Sequence, residues 1–253
     1  MSAISRTSYD TLLVERRADR VVVTLHRPES RNAISGCMIS ELHEVCAELE
    51  RDPRLLLITG HGGVFAGGAD IAELRARGRE EALRGINSRL FERVRALPMP
   101  TVAAVPGWAL GGGAELAYAC DLRIAGPDAV FGNPEPGLGI LAAAGACRRL
   151  PELVGVSVAK QILLAGRTLD AEAARACGLV IDVVPADRLA DEAHALLDRM
   201  ARSSALALRL TKLVTDAPGA HPVADDLAQA VLFESPDKEE RMTRFLEKKG
   251  GRT

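Results

Sequence analysis

The chain has 253 residues, of which 47% are hydrophobic and 3% aromatic, with a formal net charge of −2. That size and apolar content suit one large domain or two small ones around a substantial core, and the near-neutral balance with few aromatics argues against nucleic acid or an anionic membrane surface as partner. No apolar run approaches the ~20 residues of a membrane span, and Met1 to Asp10 lacks the apolar stretch of a secretory signal.

In chain order, strand-like sequence begins by about Leu12, and the valine-rich run Val21–Leu25 predicts a strand. A polar loop with Pro28 follows. Ile34, Met38, Leu42, Val45 and Leu49 then recur at spacings of three and four, one apolar helix face that ends near Pro53. Leu55–Thr59 predicts a second, buried strand. Residues 60–68 hold five glycines, and a helix is predicted from Ala69 to Leu74. Arg75 to Arg95 is crowded with Arg and Glu, the pattern of a solvated helix face. Thr101–Val105 predicts a third strand, followed by the glycine-rich run 107–113 and a helix to about Ala119. Trp108 is expected to pack in the core beside this turn. Short strands are predicted at Leu122–Ala125 and Ala129–Phe131. Beyond them come helices at Val156–Leu164 and Leu169–Cys177, the latter with Asp170 as N-cap, and a short strand at Val180–Val184. Further helices are expected at Leu189–Met200, Leu206–Val214, Leu227–Phe233 and Met242–Glu247. The expected organisation is a core to about residue 185 and a helical region over 186–253.

The cysteines (Cys37, Cys46, Cys120, Cys147, Cys177) are odd in number and widely spaced, without a Cys-x-x-Cys pair. A disulfide framework and a zinc site are therefore not expected, the thiols read as buried small residues, and a reducing, cytoplasmic setting is the natural reading. The five histidines form no metal-ligand pair, and no metal is expected. No Gly-x-Ser-x-Gly elbow offers a serine nucleophile.

Chemistry is suggested by two acids. Glu115 closes Gly107-Trp-Ala-Leu-Gly-Gly-Gly-Ala-Glu, and Glu135 closes Phe131-Gly-Asn-Pro-Glu. Three glycines feeding a helix leave bare N–H groups that attract negative charge, and a carboxylate beside them can do acid–base work on whatever the turn polarises. The unit also echoes: a strand, a glycine-rich turn, an acid and a helix occur at Leu55–Ile71 and again at Thr101–Leu116, with Asp70 and Glu115 in equivalent settings. Two such helix starts side by side can aim one N–H each at a single oxygen, as an oxyanion hole requires. Read from its own setting, Asp70 is a turn-stabilising acid.

Together these segments resemble the enoyl-CoA hydratase/isomerase (crotonase) superfamily. The resemblance rests on Leu25-His-Arg-Pro-Glu-Ser-Arg-Asn-Ala33, Phe65-Ala-Gly-Gly-Ala-Asp-Ile71, the Gly107–Glu115 and Phe131–Glu135 runs, Cys120-Asp121, Leu164-Ala-Gly-Arg167, Ala176-Cys-Gly-Leu-Val180 and Arg244-Phe-Leu-Glu-Lys248. It covers nearly the whole chain in order. It implies an α/β fold, a crotonase-like spiral of ββα repeats with a helical C-terminal trimerisation region. It further implies an acyl-CoA thioester as substrate with no separate cofactor, and a homotrimer or homohexamer. Carried onto this sequence, the oxyanion donors are the amides of Ala69 and Gly112, and the catalytic pair is Glu115 and Glu135. Gly67, Gly68, Asp70 and Ile71 would contact the CoA, with Ser30 and Arg31 near its nucleotide end. Two glutamates favour hydration of a trans-2-enoyl-CoA to the 3-hydroxyacyl-CoA, with Glu115 handling the water and Glu135 supplying the proton. A Δ3–Δ2-enoyl-CoA isomerase and a non-catalytic acyl-CoA-binding subunit are the alternatives. The stretch Pro136–Leu150 departs from the family pattern, with three alanines at its turn, and by the resemblance it neighbours the acyl pocket.

Overall fold

A computed structural model describes residues 4–217, 219 and 222–250. The elements are β1 (Ser5–Ser8), β2 (Leu12–Arg16), β3 (Arg20–Leu25), α1 (Gly36–Arg51), β4 (Leu55–Gly60), α2 (Ile71–Ala76), α3 (Arg79–Arg84), α4 (Ile86–Arg95), β5 (Thr101–Val105), β6 (Trp108–Leu110), α5 (Gly112–Ala119), β7 (Leu122–Ala125), β8 (Val130–Gly132), α6 (Ala146–Leu163), β9 (Leu169–Asp170), α7 (Ala171–Ala176), α8 (Leu189–Ala201), α9 (Ala205–Asp216), α10 (Val223–Phe233) and α11 (Pro236–Gly250). The chain divides into a unit ending at Leu197 and a second beginning at Asp198.

In the first unit, a six-stranded sheet runs β1-β2-β3-β4-β5-β7, and a smaller sheet runs β6-β8-β9. The β3–β4, β4–β5 and β5–β7 pairs are parallel. Such strands are covered on both faces, so they are apolar throughout rather than alternating: Leu55, Leu56, Leu57 and Ile58 of β4 are buried, as is every residue of β5. Helix α1 starts where the Ser35 side chain accepts a hydrogen bond from the Met38 amide at 3.2 Å, and it buries the stripe Met38, Leu42, Val45 and Leu49.

The strand register brings the functional segments together. Leu56 pairs with Thr101, an offset of 45 residues, the same offset that separates Asp70 from Glu115. Val102 pairs with Leu122, an offset of 20, the spacing of Glu115 and Glu135. Segments that leave neighbouring parallel strands at matched distances emerge side by side. The echo in the sequence is therefore a repeat of strand, turn and helix stacked one step along the sheet.

The structure departs from the predicted elements at several points, among them Leu169–Asp170, which forms β9 rather than the start of a helix. β1 is polar and fully exposed, so it carried no apolar signal. β6 lies inside the run read as a turn, and its three residues pair with β8. α6 begins at Ala146, ten residues before the predicted Val156, because Pro151 and a kink at Gly155 (φ 77°) obscure the helical period. Val180–Val184 forms no strand, only a single bridge between Val183 and Ala125. The cysteine expectation also needs correction: Cys46 and Cys120 are buried, but Cys37 and Cys147 are exposed.

The second unit holds α9, α10 and α11. Its helices expose Leu213, Leu227, Val231, Phe233, Phe245 and Leu246. Among the described residues, no helix is long and apolar enough to cross a membrane.

Candidate active site

The loop between β4 and α2 is held by backbone hydrogen bonds on two sides. On one side, the Gly67 amide donates to the Arg31 carbonyl (2.9 Å), the Ile34 amide to the Gly68 carbonyl (2.8 Å) and the Asp70 amide to the Ile34 carbonyl (2.9 Å). On the other, the Phe65 and Ala66 amides donate to the Trp108 carbonyl, and the Leu110 amide to that of Ala66. Asp70 then caps α2, accepting from the Ala72 and Glu73 amides, and its other oxygen meets Arg27 at 3.1 Å. That guanidinium and those amides hold the Asp70 carboxyl below its ordinary range. Clamped in this way, the loop leaves the Ala69 N–H free: among the described residues it donates to no protein acceptor.

Helix α5 is seated against this loop by missing side chains. A Cβ on Gly113 would lie 2.3 Å from the Ala66 carbonyl oxygen and 2.7 Å from the Ala66 Cβ, so only glycine permits the approach. One residue earlier, a Cβ on Gly112 would stand 3.4 Å from the Ala69 nitrogen. Gly112 is the first residue of α5, where amides have no intrahelical partner, and its N–H too lacks a protein acceptor among the described residues. Two uncommitted amides thus sit beside each other at a helix start, an arrangement suited to negative charge developing on one oxygen.

Both glutamates are buried, Glu115 with 4% and Glu135 with 7% of its surface exposed. Glu115 sits in the first turn of α5, and its Oε1 accepts a hydrogen bond from the Ala146 amide (3.0 Å) at the start of α6. Burial pushes its carboxyl up to about 7, against the pull of the Ala146 N–H and with a further push from Glu135. Glu135 follows Pro134 at a single turn of 3-10 helix. Burial raises its carboxyl as well, and its Oε2 has no hydrogen-bond partner among the described residues. Gly111, at φ 50°, makes room for it: a Cβ there would stand 3.1 Å from Glu135 Oε1.

These groups face one cavity of about 470 Å³. Of the residues singled out from sequence, Gly67, Gly68, Ala69, Ile71, Gly112, Glu115 and Glu135 line it. Ser30, Arg31 and Asp70 are not on its wall. The Ser30 hydroxyl bonds to the Arg27 carbonyl, and Arg31 lays its guanidinium over the Trp108 ring at 5.4 Å. Trp108 is therefore not a core residue, being 44% exposed. Nothing in the local pattern singles out Arg77, Ile86, Asn87 or Ser88, which line the cavity from α2 through α4, nor the Ala146 amide that holds Glu115. Ile140, Leu141, Ala143 and Ala144, from the stretch that departs from the family pattern, complete an apolar side.

Away from the cavity, Asp10, Cys37 and Glu41 bring metal-ligand atoms within 4.8 Å of one another. The Glu41 carboxylate there already accepts from the Asp10 and Thr11 amides and the Thr11 hydroxyl, which is a structural role.

The profile of the enoyl-CoA hydratase/isomerase family matches residues 15–251. A crotonyl-CoA hydratase of Syntrophomonas wolfei is 37% identical, with 96% of this chain and 97% of that protein aligned. A probable enoyl-CoA hydratase of Mycobacterium tuberculosis is 38% identical over the same shares. Among solved structures, an enoyl-CoA hydratase subunit of Geobacillus kaustophilus superposes with a TM-score of 0.89 at 32% identity, covering 96% of this chain and 97% of that one. The enoyl-CoA hydratase of Bacillus anthracis gives 0.87 at 31% identity, covering 97% and 96%.

Proposed function

This chain belongs to the enoyl-CoA hydratase/isomerase family, and we propose that it is a hydro-lyase adding water across the double bond of a trans-2-enoyl-CoA. The observation that carries the proposal is the meeting of two buried carboxyls and two uncommitted amides around one cavity. The thioester carbonyl withdraws electrons from C3, and water adds there when the charge growing on the carbonyl oxygen is held. The Ala69 and Gly112 amides hold it, each donor in comparable sites lowering the barrier by about 3 kcal/mol. Glu115 takes a proton from the attacking water. A carboxyl near 7 with an amide fixing its ionised form suits a general base at neutral pH. Glu135, raised by burial and with one oxygen unpartnered, delivers its proton to C2. The new C3–O and C2–H bonds replace the π bond, and a proton passes back from Glu115 to Glu135 to reset the pair.

No separate cofactor enters this scheme, since CoA arrives with the substrate. Its pantetheine would run along Gly67, Gly68 and Ile71 toward Ser30 and the exposed Arg31, which supplies positive charge for the nucleotide phosphates. The exposed apolar residues of α9–α11 support assembly as a trimer or a pair of trimers, and a cytoplasmic setting fits the uncrosslinked thiols.

The test is incubation with crotonyl-CoA, following loss of the conjugated enoyl absorbance and identifying 3-hydroxybutyryl-CoA. Conversion of a 3-enoyl-CoA without any hydration, or tight thioester binding without turnover, would overturn the proposal.

A further inference from the structure

Resting on the reading above, we propose that the side-chain amide of Asn87 is a third hydrogen-bond donor to the thioester oxygen, set in place by Arg77. Asn87 is the second residue of α4 and lines the cavity. Arg77, at the end of α2, donates from Nη1 to the Asn87 Oδ1 at 2.8 Å. A guanidinium has only N–H donors, so the atom it meets is the carbonyl oxygen of the amide, and the NH2 group is left to face the other way. That group lies close to the two backbone donors. The point at which a Cβ would stand on Gly112 is 3.4 Å from the Ala69 nitrogen and 3.7 Å from Asn87 Nδ2. Among the described residues, Asn87 Nδ2 donates to no protein acceptor.

The chain thus brings three N–H donors from three separate segments close to one small region. Two are backbone amides, and at Gly112 a side chain would itself enter the region they face. The third depends on a side chain and on the guanidinium that fixes its orientation. Arg77 is itself only 17% exposed at its side chain and lies 3.9 Å from Glu73, which anchors it from the α2 side. A donor held before substrate arrives costs little reorganisation when charge develops. Asn87 is therefore a catalytic residue of this chain, and Arg77 is a positioning residue that acts through it.

Asn87→Asp keeps the shape and the Arg77 contact but turns the donor into an acceptor. Asn87→Ala removes it, and Arg77→Met frees it. With crotonyl-CoA, Asn87→Ala is expected to lower kcat by about ten- to a hundredfold, with KM within about threefold of the parent. Asn87→Asp should lose at least about a hundredfold and Arg77→Met a smaller factor. The second readout is the infrared carbonyl stretch of bound butyryl-CoA, a saturated thioester that cannot be hydrated. Binding to the parent should shift the band to lower frequency, and Asn87→Ala and Asn87→Asp should each lose part of the shift. If Asn87→Ala does not fold, the isosteric Asn87→Asp carries both measurements. An unchanged band together with kcat within twofold would overturn the inference. A parent protein that hydrates no enoyl-CoA would instead overturn the function proposed above, while the butyryl-CoA band would still report on the donor.

Discussion

Burying Glu115 has a thermodynamic cost that Glu115→Gln should remove. The carboxyl is 4% exposed, and its folded value of about 7 stands above the ordinary 4.5. Between those two values the folded protein binds a proton that the unfolded chain has released, so stability falls as pH rises across that window. A displacement from 4.5 to about 7, at about 1.4 kcal/mol per pH unit, comes to about 3 kcal/mol at full ionisation. Glutamine has the size of the neutral acid, and its carbonyl can accept the Ala146 N–H that now reaches Oε1 at 3.0 Å. The variant and the parent should therefore be equally stable near pH 4.5, and the variant should gain steadily up to pH 7. Above that it should hold a constant advantage of about 3 kcal/mol. Urea unfolding at matched protein concentration, followed by circular dichroism from pH 4.5 to 8, measures the difference. A gap that does not change with pH, or a variant less stable at pH 8, would refute the reasoning.

Three further outcomes are expected. The kcat/KM for crotonyl-CoA should fall below pH ~7 as Glu115 gains its proton, so a pH–rate profile that is flat from 6 to 8 would remove it as the base. Gly113→Ala should cost ~3 kcal/mol or more, because its Cβ would meet the Ala66 carbonyl oxygen at 2.3 Å and neither backbone can retreat; near-parental thermal unfolding would contradict this. Asp70→Ala should lose the α2 cap and the Arg27 contact, lowering stability by about 1 kcal/mol and leaving kcat near that of the parent. A large loss of kcat at unchanged stability would instead place Asp70 in the chemistry.

The parts of the fold that could be read from the sequence were those with a strong local period. The Met38–Leu49 stripe of α1 and the apolar run of β4 needed no tertiary information. Glu115 stands out because three glycines feed the helix that carries it, and Glu135 because it closes a Gly-Asn-Pro turn at a fixed distance from Glu115. β6 was hidden because its three residues pair only once the flanking glycines have brought β8 alongside. Trp108 was misplaced because its size suggested burial, whereas its strand turns it outward to meet Arg31. Helix α6 was half visible, since Pro151 and Gly155 interrupt the pattern that would have marked its first turns. Asn87 and Arg77 had no signal at all. Ten residues apart on separate helices, they meet only through the path the chain takes around the cavity. The same holds for the Ala146 amide, 31 residues beyond the carboxylate it fixes.

A crystal structure of Glu115→Gln with crotonyl-CoA bound would examine the centre of the account. The thioester oxygen is expected within about 2.7–3.1 Å of both the Ala69 and Gly112 nitrogens, with C3 facing residue 115 and C2 facing Glu135. A thioester oxygen bonded elsewhere, or a reacting double bond out of reach of both side chains, would contradict it.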